Sequence, residues 1–421
     1  MKTTRRLAAL ASSFALLFSL LAGIPPAEAA TTPGSTYFPL TPARLLDTRF
    51  GTGAPQVPLG PNSSLDLTVV GVGGVPASGV TAVMLNVIAT DATAPASFLT
   101  VYPAGSPQPL ASNLNFGAGT IRTNAVKVAV PTTGDKAGKV TIYNLAGSVS
   151  VVADVNGWYS GNGGAVGGTY VPQSPARILD TRIGLGGFVL SPGQTLDLQV
   201  TGMGGVPATG VSAVVLNVTA ILEGPESFLT VYPSGTTRPL ASNLNPVNGQ
   251  AVPNLVVARL GTNGRVSIYS NLGITHVVAD VQGFYTETGN TLGATYFPLT
   301  PARDLDTRTG VGTGGTIGKM GAGQTLNLLV AGVNGVPATG VSAVVLNVTA
   351  AGHSGADTFM TVFPSGTARP LASNLNVVAG QTLPNLVIAR VGFDGRVSIY
   401  NNAGAVDVIA DVQGWFLTNG A

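Results

Sequence analysis

The chain contains 421 residues, of which 45% are hydrophobic, 9% are charged and none is cysteine, so its fold must be held by apolar packing rather than by disulfide bonds. Setting aside the first 30 residues removes three of the 20 basic and one of the 18 acidic residues, which leaves 17 of each sign. This balance argues against nucleic acid and against an anionic membrane surface as partners.

Residues 1–30 have the pattern of a secretory signal peptide. Basic residues between Lys2 and Arg6 precede an apolar run, and Ala27 and Ala29 supply the small-x-small pattern of a signal-peptidase site. The run is too short for a membrane anchor, and no later segment is long and apolar enough to span a bilayer. We therefore predict an exported mature protein that is either secreted into the medium or associated with the cell surface.

From Tyr37 onward the sequence repeats itself three times. The period is about 125 residues, which is the size of a whole domain and much longer than a solenoid repeat. Two connectors, SGNGGAVGGT and TETGNTLGAT, separate the copies. Connectors of this kind have a reach of about 16–19 Å, so neighbouring copies can touch but need not. The sequence thus predicts three tandem β-domains, at 37–159, 170–285 and 296–417.

Each copy begins with the same charged motif. TPARLLDTR at 41–49 returns as SPARILDTR at 174–182 and as TPARDLDTR at 300–308. Two arginines and an aspartate within six residues stand out in a chain with so few charges. The motif is open to two interpretations, a ligand site present three times or a polar cluster that each copy needs in order to fold.

Short strand-like segments follow the motif in every copy. In copy 1 they read SLDLTVVG, VTAVMLNVIA, FLTVYP, NAVKVAV, KVTIYN and VSVVADV, and turns containing Gly, Pro or Asn separate them. No segment beyond residue 30 keeps helical spacing over ten residues. About seven or eight such strands in each copy predict an all-β fold of three antiparallel β-sandwiches. Compact β-barrels are the alternative.

Strand alternation places polar residues within apolar rows. In VSAVVLNVT, Asn347 shares a face with Val345, and in VVADVQG, Asp280 shares a face with Val278. An isolated carboxylate on an apolar face is prohibitively costly, so this late aspartate needs a partner. The charged groups that recur at matched positions in all three copies are this aspartate and the Arg and Asp of the PARxLDTR motif.

We infer that these charged groups meet beneath the surface of each copy and lock its two sheets together. A motif arginine would form a forked ion pair with an aspartate, and the repeated asparagines of LNV and LASNLN would fill the remaining hydrogen bonds. Removing one partner of such a pair would cost about 3–5 kcal/mol. This structural role is favoured over a ligand site, which stays open. The predicted network comprises Arg44, Asp47, Arg49, Asn86, Asn113 and Asp154; Arg177, Asp180, Arg182, Asn217, Asn243 and Asp280; and Arg303, Asp306, Arg308, Asn347, Asn374 and Asp411.

Catalytic chemistry has little support in the sequence. The two histidines, His276 and His353, occupy unmatched places, and there is no cysteine nucleophile and no HExxH motif for zinc. GVGGVP lacks the Lys-Ser/Thr ending of a phosphate loop, and the acidic residues lack calcium-loop spacing. Paired Asp47 and Asp154 would both be held ionised by the arginines, which leaves no general acid for a glycosidase. The sequence predicts no enzyme, no cofactor and no metal site.

Each copy ends on a pair of aromatic residues, WY, FY or WF. We expect one ring of each pair to face inward and cap the core, while the other could be exposed. An exposed ring beside Asn and Asp would suit the apolar face of a sugar. The candidate sugar-stacking residues are Trp158, Phe284 and Trp415.

The PARxLDTR, VxAVxLNVT, LASNLN and ADVxGW motifs together resemble a repeat domain of secreted, chiefly actinobacterial, proteins. The resemblance covers essentially all of residues 37–417. It implies a non-catalytic β-domain that occurs alone in tandem or beside cell-wall-active and other extracellular enzymes. Copy 1 departs from the other two, because Val128 is predicted to take the position of Arg259 and Arg390, so a ligand site that used these arginines would be altered there.

The function favoured by the sequence is a secreted, non-catalytic binding or attachment protein. Its expected ligand is cell-wall glycan or another extracellular polysaccharide, with three copies providing avidity. The alternative is a purely architectural surface protein, a spacer or stalk of stacked domains. A hydrolase is the least favoured interpretation.

Overall fold

The structure is a computed structural model that describes residues 34–161, 166–290 and 292–418. The predicted signal peptide and part of the first connector lie outside the described residues. The described part of the chain is all-β, as predicted, and contains 23 strands and one short 3-10 turn at Thr262–Gly264. Its residues fall within one compact unit.

The strands follow the three sequence copies. Copy 1 contains β1 (Thr36–Asp47), β2 (Ser63–Thr68), β3 (Val80–Thr90), β4 (Ser97–Pro103), β5 (Leu114–Phe116), β6 (Arg122–Ala129), β7 (Lys139–Asn144) and β8 (Ser150–Ser160). Copy 2 contains β9 (Tyr170–Asp180), β10 (Thr195–Gln199), β11 (Val211–Glu223), β12 (Leu229–Pro233), β13 (Ala251–Arg259), β14 (Arg265–Ser270) and β15 (Ile274–Thr286). Copy 3 contains β16 (Ala294–Asp306), β17 (Thr325–Leu329), β18 (Val341–Ser354), β19 (Thr358–Pro364), β20 (Leu375–Val377), β21 (Leu383–Arg390), β22 (Arg396–Asn401) and β23 (Ala405–Thr418).

Each copy is an antiparallel sandwich with an inner sheet, turned toward the other copies, and an outer sheet. In copy 1 the inner sheet has the order β1-β8-β3-β6 and the outer sheet the order β2-β7-β4-β5. The outer sheets of copies 2 and 3 are β10-β14-β12 and β17-β22-β19-β20. The inner strands of these two copies join in one eight-stranded sheet, β13-β11-β15-β9-β16-β23-β18-β21. The sandwich is confirmed, and the barrel alternative is not adopted.

The inner sheets are buried on both faces, which explains why their strands are almost continuously apolar. On β3, Val83, Leu85 and Val87 point into the core of copy 1 itself. Ala82 and Met84 alternate with them and point to the opposite face. That second face belongs to a shared core, to which all three copies contribute. Its aromatic members are Tyr37, Tyr159, Tyr170, Tyr285, Tyr296 and Phe416.

The three copies close into a ring around a pseudo-threefold axis. The start of each copy pairs with the segment just before the start of another copy: Tyr37 with Gly168, Tyr170 with Ala294, and Tyr296 with Ser35. The last of these pairings joins copy 3 back to copy 1. The copies are therefore not separate bodies on flexible connectors, because they share backbone pairing as well as a core.

Asparagine side chains complete the sheet edges at the axis. Strands β6, β13 and β21 are edge strands of the inner sheets, so part of their backbone has no strand partner. The missing acceptors are side-chain oxygens, and each one accepts from the backbone of a neighbouring copy, so that the three bonds link the copies in a cycle. The three residues are Asn124, Asn254 and Asn385. Asn254 accepts the N–H of Ala125 at 3.1 Å, and the other two accept from equivalent positions on the next copy. These bonds satisfy buried donors that would otherwise be costly.

A repeated glycine makes room for the tyrosine that begins each copy. The Tyr37 hydroxyl donates to the backbone oxygen of Asn156 at 3.1 Å, and this places its ring against Gly157. A Cβ on Gly157 would lie 2.2 Å from the hydroxyl oxygen. The same contact exists at Gly283 and Gly414, which explains the glycine of the ADVxGW motif in steric terms.

Candidate functional site

The charged residues of PARxLDTR do meet the late aspartate of their own copy. In copy 1, the Arg44 Nε donates to Asp154 Oδ1 at 2.5 Å, and its Nη1 donates to Asp47 Oδ2 at 2.9 Å. Arg49 donates to Asp47 from Nε at 2.9 Å and from Nη2 at 2.8 Å. The side chain of Asp154 is only 1% exposed. Arg44 therefore bridges two carboxylates, and Arg49 holds the outer one in a forked pair.

Copies 2 and 3 repeat this charged cluster with closely similar geometry. Arg177 contacts Asp280 at 2.8 Å and Asp180 at 3.2 Å. The corresponding distances from Arg303 to the aspartates of copy 3 are 2.8 and 3.1 Å. The second motif arginine closes each cluster, and the remaining members are Arg182, Asp306, Arg308 and Asp411.

The two aspartates of each cluster have opposite pKa shifts. Burial raises the pKa of Asp154 above its usual value, and the hydrogen bonds and charge of Arg44 offset only part of this effect. Burial also acts to raise the pKa of Asp47, but the hydrogen bonds and charge of Arg49 outweigh it, so the pKa of Asp47 is lowered. The inner carboxylate thus depends on its arginine to remain charged, whereas the outer one is stabilised as an anion.

The cluster does not lock the two sheets of a sandwich together, and this part of the prediction is wrong. Arg44 on β1 and Asp154 on β8 lie on neighbouring strands of the same inner sheet. They lie on the face that packs against the next copy, where the backbone N–H of Ser242 donates to Asp154. At the next boundary, Arg177 donates to the backbone oxygen of Leu371 at 2.9 Å. The cluster therefore fixes a loop of the adjacent copy.

The asparagines predicted to complete the network have other partners. Asn86 donates to the backbone oxygen of Ser242 at 2.5 Å and accepts from Asn254, so it also docks the neighbouring copy. Asn113 accepts the N–H of Val101 within its own copy. Strand alternation identified the face of these residues but not the copy packed against it. The equivalents of Asn86 are Asn217 and Asn347, and those of Asn113 are Asn243 and Asn374.

An open pocket of about 310 Å³ lies where the charged cluster of copy 1 meets the PLASN loop of copy 2. We call it the boundary pocket, and it is lined by Arg44, Arg49, Phe228, Arg238 and Leu240, among others. The guanidinium carbon of Arg238 lies 4.0 Å from the centre of a tyrosine ring, a cation–π contact. The boundary pocket combines a stacked cation, an aromatic edge and an exposed aliphatic side chain.

The five residues named above have equivalents of the same type at the other two boundaries, except that one copy lacks the stacked arginine. Arg369 stacks over Tyr400 at 4.2 Å in copy 3, as Arg238 stacks over Tyr269 in copy 2. Copy 1 has Gln108 at this position. The leucine of the PLASN loop is exposed in every copy, at 79%, 79% and 81%, and these residues are Leu110, Leu240 and Leu371.

Two larger clefts carry the exposed arginines that set copies 2 and 3 apart from copy 1. Arg259 lines a cleft of about 760 Å³ and Arg390 one of about 600 Å³. The strand register assigns the equivalent position in copy 1 to Ala129, since Ala82 faces Ala129 as Ala213 faces Arg259. The prediction that Val128 takes this position is therefore wrong by one residue.

The candidate sugar-stacking rings are covered by protein. Phe284 and Trp415 are 5% and 6% exposed, and Trp158 is half-buried. Trp158 stacks on Phe38 and Trp415 on Phe297, each pair with ring centres 4.2 Å apart. The second ring of each terminal pair lies in the shared core. Phe284 and Trp415 lie in the cores of their own copies, and Trp158 packs against the core of copy 1. Neither ring of a pair is therefore an open platform for a sugar.

Copy 1 places a lysine in the shared core that sequence reasoning missed. Lys127 is 1% exposed, and its Nζ lies 4.4 to 4.9 Å from the ring centres of Tyr159, Tyr296 and Phe416. Its hydrogen bond is a long one, 3.3 Å to the hydroxyl of Tyr285. Burial lowers the pKa of Lys127 well below its usual value. The signal in the sequence was a cation in the middle of NAVKVAV, where the other copies have aliphatic residues.

Copy 3 replaces a core aliphatic residue by a carboxylate. Asp304 stands where the other copies have Leu45 and Ile178, and it accepts a hydrogen bond from Asn334 Nδ2 at 2.7 Å. Burial raises the pKa of Asp304 to about 6. Asn334 in turn replaces Gly73 of copy 1, where a Cβ would lie 2.4 Å from Leu45. The two exchanges are coupled, because a smaller side chain at one position admits a larger one at the other.

Within the described ranges, no cluster of three or more His, Cys, Asp or Glu residues has the arrangement of a metal site. The same part of the chain contains no helix that is long and apolar enough to cross a membrane. The two histidines make isolated contacts, His276 with Thr181 and His353 with the backbone oxygen of Ala356.

No protein-family model and no curated protein matches the chain. Among solved structures, a chain from the atomic structure of Sulfolobus turreted icosahedral virus is 9% identical, with 86% of this chain and 85% of that chain covered, at a TM-score of 0.18. A chain from work on the triple jelly-roll fold and turret assembly of an archaeal virus is 10% identical, with 92% and 91% covered, also at 0.18. Scores of this size carry no argument about function.

Proposed function

We propose that this chain is a secreted, non-catalytic binding protein whose ligand is cell-wall glycan or another extracellular polysaccharide. The observation that carries the proposal is the boundary pocket, because it joins the two motifs that the sequence repeats most faithfully, PARxLDTR of one copy and PLASN of the next. The charged cluster docks the neighbouring copy and also forms one wall of this pocket, which supports a ligand site at the boundary.

The chemistry of the boundary pocket suits a sugar. Arg238, held flat against Tyr269, presents N–H donors to hydroxyl or carboxylate oxygens. Phe228 and the exposed Leu240 offer apolar surface to a ring face. The carboxylates of the cluster are already occupied by Arg44 and Arg49, so the free groups at the rim are cationic and apolar.

Ring closure alters how three copies would provide avidity. The copies share a core, so equivalent binding positions would be held at fixed separations rather than on flexible connectors. Linked weak sites raise overall affinity by about 10²–10⁴ when the ligand can reach them together. A long polysaccharide meets this condition, whereas a monosaccharide does not.

The test compares binding of the full mature chain to purified bacterial cell walls and to a glycan array. Arg238→Gln with Arg369→Gln introduces in copies 2 and 3 the residue that copy 1 has at Gln108. Loss of a charge-assisted contact to the ligand of about 1–2 kcal/mol predicts about 5- to 30-fold weaker binding. The matched control is Arg265→Gln with Arg396→Gln, which removes two positive charges from the outer sheets of the same copies. Equal binding by both double variants, or no binding by the native chain, would reject the proposal.

An architectural role is the second candidate, and the exposed leucines support it. Leu110, Leu240 and Leu371 lie at equivalent positions around the axis, so they would offer a symmetric set of apolar contacts to further copies of the chain. Analytical ultracentrifugation of the native chain and of the triple Leu→Ser variant tests this role. Self-association that the variant abolishes and that soluble glycan does not affect would favour architecture over glycan binding.

A further inference from the structure

A small cavity lies on the pseudo-threefold axis, at the end of the molecule where β6, β13 and β21 begin. It has a volume of about 40 Å³, and all three copies line it. Copy 1 contributes Arg122 and Thr123, copy 2 contributes Asn245 and Gln250, and copy 3 contributes Asn376. It lies outside the boundary pocket and shares only Asn245 and Ile121 with it.

Arg122 is a cation without a counter-charge in this cavity. Within residues 34–161, 166–290 and 292–418, no hydrogen bond or ion pair to its side chain is found, and the side chain is half-buried. Burial lowers the pKa of Arg122, and the field of exposed Glu226 offsets this in part. A guanidinium withdrawn from water without a partner is unfavourable, and an anion beside it would remove that cost.

Arg122 occurs in one copy only. Strand register places it opposite Ala89, and the equivalent positions in copies 2 and 3 are Val252, opposite Ala220, and Leu383, opposite Ala350. Packing of the strand therefore does not require a cation here. Because the cavity is on the axis, one arginine gives one charged site for the whole chain.

The other polar groups of the cavity leave mainly N–H donors free. Asn245 Oδ1 already accepts from Thr123 at 2.6 Å, and Gln250 Oε1 accepts from the side chain of Gln381 at 3.2 Å. Asn376 Nδ2 is buried and has no hydrogen-bond partner among the described residues. The Oε1 of neighbouring Gln381 also lacks a partner among the described residues, so the charge of Arg122, together with the free amide N–H donors, is what favours an anion over a cation.

The volume limits which anion fits. A single water needs about 10–15 Å³ measured in this way, so 40 Å³ admits a small ion but excludes a phosphate ester or a sugar acid as a whole. We propose that the axial cavity binds one small monovalent anion per chain, a chloride ion or the carboxylate group of a small organic acid, with Arg122 as its counter-charge.

The first experiment measures the thermal unfolding midpoint of the full mature chain at constant ionic strength. Chloride or formate replaces methanesulfonate, an anion too large for the cavity. Bound ligand stabilises the native state by RT ln(1 + [L]/Kd), so the midpoint should rise with concentration as for a single site. Arg122→Val, which installs the residue of copy 2, should abolish this rise and still fold. Arg265→Gln, on the outer sheet, should retain it.

The second experiment detects the ion without reference to stability. Line broadening of ³⁵Cl in nuclear magnetic resonance should report chloride exchange with the native chain and fall to the background level in Arg122→Val. Formate that removes the broadening identifies carboxylate as a competing ligand, whereas persistence of the broadening restricts the site to halide. The same broadening and the same midpoint response in the native chain and in Arg122→Val would overturn the proposal. Because Arg122 is not part of the boundary pocket, these results do not depend on glycan binding.

Discussion

Replacing Arg44 by alanine tests the central ion pair of copy 1. Asp154 is 1% exposed, and after the substitution its remaining described partner is the backbone N–H of Ser242. Removing one partner of a buried pair costs about 3–5 kcal/mol, since the other charge stays buried. Urea unfolding at neutral pH should show this loss in the free energy of unfolding. Asp154→Asn in the same chain should recover part of it, because the uncompensated charge is then absent.

The pH dependence of this variant provides a second check. Burial already raises the pKa of Asp154, and removal of Arg44 should raise it further. An aspartate with a raised folded pKa takes up a proton on folding, so the penalty should be full above the folded pKa and disappear below the unfolded value near 3.9. The Arg44→Ala and native chains should therefore approach each other in stability as the pH falls.

Arg49→Ala is the matched control for Arg44→Ala. The Arg49 side chain is 39% exposed, and its partner Asp47 keeps the Nη1 of Arg44. A pair exposed to this extent is worth about 0–1 kcal/mol. If both arginine variants lost the same stability at neutral pH, the idea that Arg44 compensates a buried charge would have to be abandoned.

Three further variants test other features of the fold. Lys127→Ile should stabilise the chain by about 1–3 kcal/mol, as measured by urea unfolding, because it removes a poorly paired polar group from the shared core; a loss of stability would contradict this. Asp304, with its pKa raised to about 6, binds a proton on folding between pH 4 and 6, so stability should fall by about 3 kcal/mol as the pH rises through that window. Asp304→Leu with Asn334→Gly should remove that slope, and its persistence would assign it to another group. Gly157→Ala should lower the unfolding midpoint, because the new Cβ would lie 2.2 Å from the Tyr37 hydroxyl oxygen, and an unchanged midpoint would show that the ring can move.

The sandwich could be predicted from sequence because its strands are short, β-branched and separated by turn residues. The prediction that side chains alternate between the two faces of a strand is also correct. Val83 and Leu85 point into the core of copy 1, and Met84 points into the shared core. Period-two alternation shows that both faces of β3 are apolar, but it does not show what covers the second face. The reach of the two connectors allows neighbouring copies to touch but does not require it. Closure of the three copies into a ring could therefore not be inferred from the sequence.

The charged cluster was predictable for a different reason. Charged residues are rare in this chain, and a carboxylate such as that of Asp154 is costly to bury alone. Pairing with an arginine such as Arg44 was therefore the expected arrangement. Asn86 and Asn113 were misassigned because an asparagine has neutral donors and acceptors that many backbone groups can satisfy. Their partners depend on tertiary contacts, and for Asn86 the partner belongs to another copy.

Covalent linkage of the three copies permits chemistry on the axis that identical subunits would not tolerate. A homotrimer built from copy 1 would bring three amines like that of Lys127 into one aromatic enclosure and three guanidiniums like that of Arg122 to one small void. Mutual repulsion in such dry surroundings would oppose assembly. In a single polypeptide each of these cations occurs once, and aliphatic side chains occupy the two related places. Tandem duplication has therefore given this protein a centre that can diverge in one copy while the other two preserve the packing.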